Sequence, residues 1–296
     1  MTARRIGLDV GGSKVAGVAL GPSGAIVDEV RMPTRTGNDG VVETILAAVD
    51  LLAPDGAASI GIGIPGLVDA GRVRHAVNLG VVDLELAAEL ASRTGAAVAV
   101  DNDVRAAALG EFAARGGRSL ALLNIGTGVA AGLVLDGRLQ RGASGAAGEI
   151  GHLVVDPAGP ECPCGQRGCI EAFTGGGAIG RRWGSDAALP VREVFDAADA
   201  GDARARGIRD DAVRAIAAAV RVLALSVDVE RIVFGGGVVD LGERLRPLVL
   251  RELRAEAAAA PFLATLALAD RVVWGSEVAH APARGAALLP EELALA

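Results

Sequence analysis

Between residues 149 and 171 the chain reads EIGHLVVDPAGPECPCGQRGCIE, a stretch holding one imidazole and three thiols. His152, Cys162, Cys164 and Cys169 make up the ligand set of a closed tetrahedral zinc site, the structural kind with no open coordination position. Pro157, Pro160 and Pro163, with Gly159, Gly165 and Gly168, supply the turns that fold such ligands around one ion. Every cysteine of the chain lies in this window, which favours a metal over three unrelated thiols. Three clustered cysteines also make a poor disulfide framework and point to a reducing, cytoplasmic setting. Glu149 and Glu171 bracket the cluster, and folding it around zinc brings both carboxylates near His152.

A third acidic group is the run Asp101-Asn102-Asp103, where an apolar strand gives way to a helical pattern. Asp103 is either a helix N-cap or a general base that takes a proton from a hydroxyl during phosphoryl transfer. Three glycine turns, DVGGSK (9–14), NIGTGVAAG (124–132) and VFGGGVV (233–239), each end a strand and let backbone N–H groups approach an anion. Asp9, at the head of the first, suits Mg²⁺ held through water. Lys14 is the only lysine among 29 basic residues. A compact ammonium fits beside phosphate oxygens where the planar arginine fork does not. GIGIPG (61–66) has the dinucleotide-binding spacing G-x-G-x-x-G, but Pro65 and Gly66 lead into a stretch that cannot form the helix that fingerprint must open. That reading is rejected.

The elements that must hold these groups follow from the rest of the chain. Of 296 residues 51% are hydrophobic and only 2% aromatic, so the core rests on aliphatic side chains, with 42 glycines for turns and close approaches. A formal charge of −7 without any basic run excludes a nucleic-acid surface. No apolar run is long enough to cross a membrane, and the N-terminus does not read as a secretion signal. Residues 5–31 read as a three-stranded antiparallel meander with glycine turns, followed by alternating helices and strands. Near residue 119 the pattern restarts, with SLALLNIGTG, VAAGLVLDG and RLQRG as the new meander. This predicts a duplicated α/β architecture with a cleft between its halves, one domain over 1–118 and one over 119–281. The last helix, about 282–296, packs on either half, and we place it with the first. Residues 65–82 read as loop.

In order along the chain, DVGGSK, GIGIPGLVD, VDNDVRAAALGE, NIGTGVAAGLV, EIGH, C-x-C-G-x-x-G-C-x-E and FGGG resemble the motifs of the ROK family (repressors, open reading frames and sugar kinases), and within it the bacterial glucokinases. The resemblance implies an actin-like ATPase fold of two ribonuclease-H-like domains, with ATP and Mg²⁺ in the cleft and a structural zinc. It implies Asp103 as catalytic base, and Asn78, Asn102, Glu149, His152 and Glu171, with Asp103, around the sugar. Asp9, Gly11, Gly12, Ser13, Lys14, Gly126, Thr127 and Gly128 match the phosphate loops, and Gly235, Gly236 and Gly237 the adenosine motif. His152 then serves both zinc and sugar. A tryptophan common after the Asn-Leu pair is missing behind Asn78, which implies a roomier pocket. The implied activity is ATP-dependent phosphorylation of a hexose, foremost glucose. N-acetylmannosamine, N-acetylglucosamine and fructose are the alternative sugars, and polyphosphate the alternative donor. A homo-oligomer, dimer or tetramer, is implied as well. The family's sugar-sensing repressors carry a helix-turn-helix ahead of the first strand, and here that strand begins within a few residues of Met1.

Overall fold

The computed structural model describes residues 4–185, 187, 189–275 and 278–294. The chain divides into two compact units. Unit 1 comprises Met1–Arg118, Gly132–Ala147 and Val278–Ala296, and unit 2 comprises Ser119–Ala131 and Gly148–Glu277. No helix among the described residues is long and apolar enough to cross a membrane.

The first half of the chain forms β1 (Arg4–Val10), β2 (Lys14–Leu20), β3 (Ile26–Pro33), α1 (Asn38–Leu52), β4 (Ala57–Ile64), β5 (Leu67–Asp69), β6 (Arg72–Ala76), β7 (Val81–Leu84), α2 (Leu86–Thr94), β8 (Ala97–Asn102) and α3 (Asp103–Arg115). Its main sheet has the order β3-β2-β1-β4-β8, antiparallel from β3 to β1 and parallel from β1 to β8. Ile6, Leu8, Val10, Ile60, Ile62 and Ile64 on β1 and β4 are fully buried, as strands covered on both faces require.

The second half forms β9 (Ser119–Ile125), β10 (Val129–Leu135), β11 (Arg138–Leu139), α4 (Ile170–Thr174), α5 (Gly176–Trp183), α6 (Pro190–Asp199), α7 (Ala203–Val227), β12 (Arg231–Gly235), α8 (Arg246–Ala259), α9 (Pro261–Thr265), β13 (Val272–Trp274) and α10 (Ala281–Ala294). The second sheet runs β11-β10-β9-β12-β13, with β9, β12 and β13 parallel and β10 and β11 antiparallel. Position by position this repeats the order of the first sheet. The duplicated topology is the mixed α/β arrangement of the actin-like ATPase fold.

Residues 65–82 correct the sequence reading. They include β5, β6 and the start of β7, which form a small antiparallel sheet of their own. Val73, Ala76 and Val81 form its buried side, and Arg72 clasps Asp83 across the strands, with Nε 2.6 Å from Oδ1. The strands are too short, and too charged on their outer side, for the alternation to stand out.

Helix α10 closes unit 1 by packing on α3, β4 and β1. Glycines make the approach possible. A Cβ on Gly285 would lie 1.7 Å from the carbonyl oxygen of Ala106 in α3, and one on Gly61 would lie 1.7 Å from that of Ala286. Gly61 therefore serves helix packing, which explains the misleading G-x-G-x-x-G. In a solvated helix Gly→Ala stabilises by about 1 kcal/mol. Here Gly285→Ala is expected to destabilise instead, by about 3 kcal/mol or more, because backbone rather than a movable side chain blocks the methyl. Denaturant unfolding measures it, and a stabilised variant would show that α10 does not pack this way.

Candidate active site

Unit 1 carries the first of the predicted phosphate loops and the aspartate pair. Asp9 lies near the end of β1, paired with Ala16 on β2 and with Gly63 on β4. Burial pushes its carboxyl up to about 6; the neighbouring Asp103 charge adds to the rise and Lys14 opposes it. The three predicted residues therefore form one electrostatic group. Asp103 is half-buried, and burial raises its carboxyl above the usual range, against the backbone N–H bonds that lower it.

Asn102 and not Asp103 is the N-cap of α3. The Asn102 Oδ1 accepts from the backbone N–H of Val104 at 3.0 Å and of Arg105 at 3.4 Å. Its Nδ2 donates to the Gly66 carbonyl at 3.5 Å. The Asp103 Oδ1 accepts from the adjacent Val104 N–H at 3.0 Å, a donor it shares with the Asn102 cap. With the cap supplied by its neighbour, Asp103 is not the N-cap of α3. Asn78 sits exposed in a 3-10 turn, Val77–Leu79, and its backbone lies against Gly12, where a Cβ would be 3.1 Å from the Asn78 carbonyl oxygen.

Unit 2 holds the remaining predicted residues. Glu149 caps and His152 ends a 3-10 turn, Ile150–His152, laid tightly on β10. A Cβ on Gly151 would be 2.1 Å from the Val129 carbonyl oxygen, and one on Gly148, at φ +92°, 1.7 Å from that of Ala131. The glycine inside E-x-G-H is thus what lets the turn carrying Glu149 and His152 lie this close to β10. Glu171 opens α4, and its Oε2 accepts from the Val129 N–H at 2.9 Å.

The four metal-ligand atoms of His152, Cys162, Cys164 and Cys169 all lie within 4.8 Å of one another. Cys164 Sγ and Cys169 Sγ are 3.7 Å apart, and Cys162 Sγ is 3.8 Å from His152 Nδ1. A tetrahedron with Zn–S of about 2.3 Å has sulfur–sulfur edges of about 3.8 Å, so the donor set fits zinc. The Gln166 amide donates toward Cys164 and Cys169 at 3.5 and 3.7 Å and to the His152 carbonyl at 3.1 Å, an outer brace of the kind metal sites use. Its bonds hold the Cys164 thiol down at about 6, while burial pushes Cys169 up to about 12.

The loops at 126–128 and 235–237 also lie in unit 2. Gly126 and Thr127, with Gly237, line a cavity of about 610 Å³ whose walls include Leu189, Pro190, Val191, Val238 and Leu241, with Arg192 and Asp240 as its charged members. That volume and apolar lining suit a small organic ligand. Gly236, at φ +87°, folds its loop over Ile125, where a Cβ would be 2.4 Å from the carbonyl oxygen.

One polar group escaped sequence reading. Asp101 is 2% exposed and binds Arg105 Nη1 at 3.0 Å and Arg141 Nε at 2.6 Å. Arg141 also pairs with Glu292 of α10, at 2.7 Å. Arg105 reaches the Gly145 carbonyl as well. Arg105 is one helical turn from Asp101, but no local signal marks Arg141 or Glu292, which lie far along the chain.

Comparison with known proteins places the chain in a family. The ROK family model matches residues 5–292. A glucokinase from Halalkalibacterium halodurans is 35% identical over 81% of this chain and 82% of its own. An N-acetylmannosamine kinase from Haemophilus influenzae is 33% identical over 85% of this chain and 86% of its own. The solved ROK family glucokinase from Streptomyces griseus, in complex with glucose and AMPPNP, superposes with a TM-score of 0.74 at 28% identity, covering 96% of this chain and 98% of that one. The family model spans nearly the whole chain, and the chain belongs to the ROK family.

Proposed function

We propose that the chain is a sugar kinase that transfers the γ-phosphoryl group of ATP to a hexose, with glucose as the preferred acceptor. The observation that carries this reading is Asp103: a half-buried carboxylate with a raised pKa, relieved of capping by Asn102, in one electrostatic group with Asp9 and Lys14. Asp103 takes the proton from the attacking hydroxyl. Asn78, Asn102, Glu149, His152 and Glu171 hold the sugar hydroxyls. In this reading Glu171 uses Oε1, since Oε2 is engaged by Val129, and His152 uses Nε2, since Nδ1 faces the thiols. Gly11, Gly12, Ser13, Lys14, Gly126, Thr127 and Gly128 hold the phosphates, and Gly235, Gly236 and Gly237 border the nucleoside. Asp9 would hold Mg²⁺ through water, and the ion would supply charge neutralisation at the phosphates. His152, Cys162, Cys164 and Cys169 would hold a structural zinc, which would fix the wall that presents His152. By the same resemblance we read the protein as a cytoplasmic homo-oligomer.

A second reading, an N-acetylmannosamine kinase, is favoured by the Haemophilus relative. The residues named for the sugar offer donors and acceptors suited to a ring bearing a hydroxyl on nearly every carbon. A site built that way rejects a sugar lacking one of them, because its own polar groups are left unpaired. Steady-state kinetics on glucose, fructose, N-acetylglucosamine and N-acetylmannosamine, each with ATP and with polyphosphate, decides it. We expect the highest kcat/KM for glucose with ATP. An N-acetylated sugar ahead by tenfold, about 1.4 kcal/mol in transition-state binding, would move the assignment to the second reading.

A further inference from the structure

The first phosphate loop does not hold its shape alone. The Gly11 N–H closes the turn on the Lys14 carbonyl at 2.9 Å. The carbonyls of Gly11 and Ser13 are both taken up by Thr34, the first residue after β3. Its hydroxyl donates to the Gly11 carbonyl at 2.7 Å and its backbone N–H to the Ser13 carbonyl at 3.2 Å. A planar trans peptide that turns its carbonyl one way turns the following N–H the other. Binding these two carbonyls therefore aims the N–H groups of Gly12 and Lys14 away from Thr34, as an anion-binding turn requires.

The clamp is itself anchored. The N–H of Arg35 donates to Thr44 Oγ1 at 3.2 Å, and Thr44, 4% exposed, donates in turn to the Gly40 carbonyl at 2.7 Å. The Gly37 N–H donates to the Leu79 carbonyl at 2.7 Å, in the turn whose Asn78 backs Gly12. A threonine held this firmly can impose a shape on a loop whose own residues, Gly11 and Gly12 among them, impose very little.

We propose that Thr34 is a positioning residue for phosphate transfer, setting the first phosphate loop through its hydroxyl. The proposal rests on the kinase reading above. Thr34→Val keeps the side-chain shape and the backbone bond to Ser13 but leaves the Gly11 carbonyl without its donor. We expect kcat/KM for ATP to fall about tenfold, the scale of one lost hydrogen bond to a partly buried acceptor. Glucose affinity measured by calorimetry without nucleotide should stay within twofold of wild type, and Thr34→Ser, which restores the hydroxyl, should recover most of the loss. An unchanged kcat/KM for ATP in Thr34→Val overturns the proposal. So does an equal loss of nucleotide-free glucose binding, or a Thr34→Ser variant as impaired as Thr34→Val. A wild-type protein that phosphorylates no sugar with ATP would sink the kinase reading alone. Calorimetric AMPPNP affinity of wild type against Thr34→Val would then test the clamp, with an unchanged affinity against it.

Discussion

Asp103→Asn is expected to give a folded protein that binds glucose nearly as well as wild type and turns it over ~10²–10⁴-fold more slowly, the usual worth of a general base. The amide keeps the shape and one hydrogen bond but accepts no proton. Because Asn102 caps α3, the substitution should not unwind the helix. The acid side of the pH–rate profile provides an independent check. Burial raises the Asp103 carboxyl, so activity should fall as pH drops through a range above that of an ordinary carboxylate, and that dependence should vanish in the residual activity of the variant. Stability moves in the opposite sense. A carboxyl whose folded pKa lies above its unfolded one favours folding when protonated and gives up that contribution as pH rises through the folded pKa. Ligand-free Asp103→Asn should therefore be no less stable than wild type at pH 8. Near-wild-type kcat would remove Asp103 from the mechanism.

Loss of the metal should have the other large effect. We expect one zinc per purified chain and, for Cys164→Ala or after strong chelation, a Tm lower by ten degrees or more, roughly what several kcal/mol gives in a protein of this size. The Cys₃His loop is poor in alternative support. Cys162, Cys169 and Ala172 form only a small apolar cluster there. Glucose affinity should fall with the metal, because the turn carrying Glu149 and His152 loses the ligand that fixes one end. Metal analysis and thermal unfolding measure both effects. A chain without stoichiometric metal, or a Cys164→Ala variant with unchanged Tm and glucose affinity, would refute the assignment.

Much of this was legible in the sequence because the physics is local. The strand meander and its restart depend on alternation and glycine turns, and both sheets repeat one order as that pattern implied. His152 and the three cysteines crowd a short window, so their convergence needed no long-range knowledge. Features made by distant contacts were hidden. Three short strands at 67–84 looked like loop, because pairs such as Arg72–Asp83 supply order that hydrophobic periodicity does not record. Asp101 read as a mere neighbour of Asp103, yet it joins Arg105 to Arg141, 40 positions away. Sequence alone also left open whether Asp103 was a cap. Only the geometry of Asn102 separates the two roles.

The docking of α10 has a consequence for how the protein is made. The helix is translated after all of unit 2, yet it lies against β1, β4 and α3, which leave the ribosome long before. Nascent unit 1 must wait with its glycine-lined seat for α10 uncovered. Unit 2, whose segments are all synthesised by then, can complete its core first. Domains ordinarily mature in the order of synthesis. Here the first to emerge is the last to finish, and its open seat is where a chaperone would have most to protect.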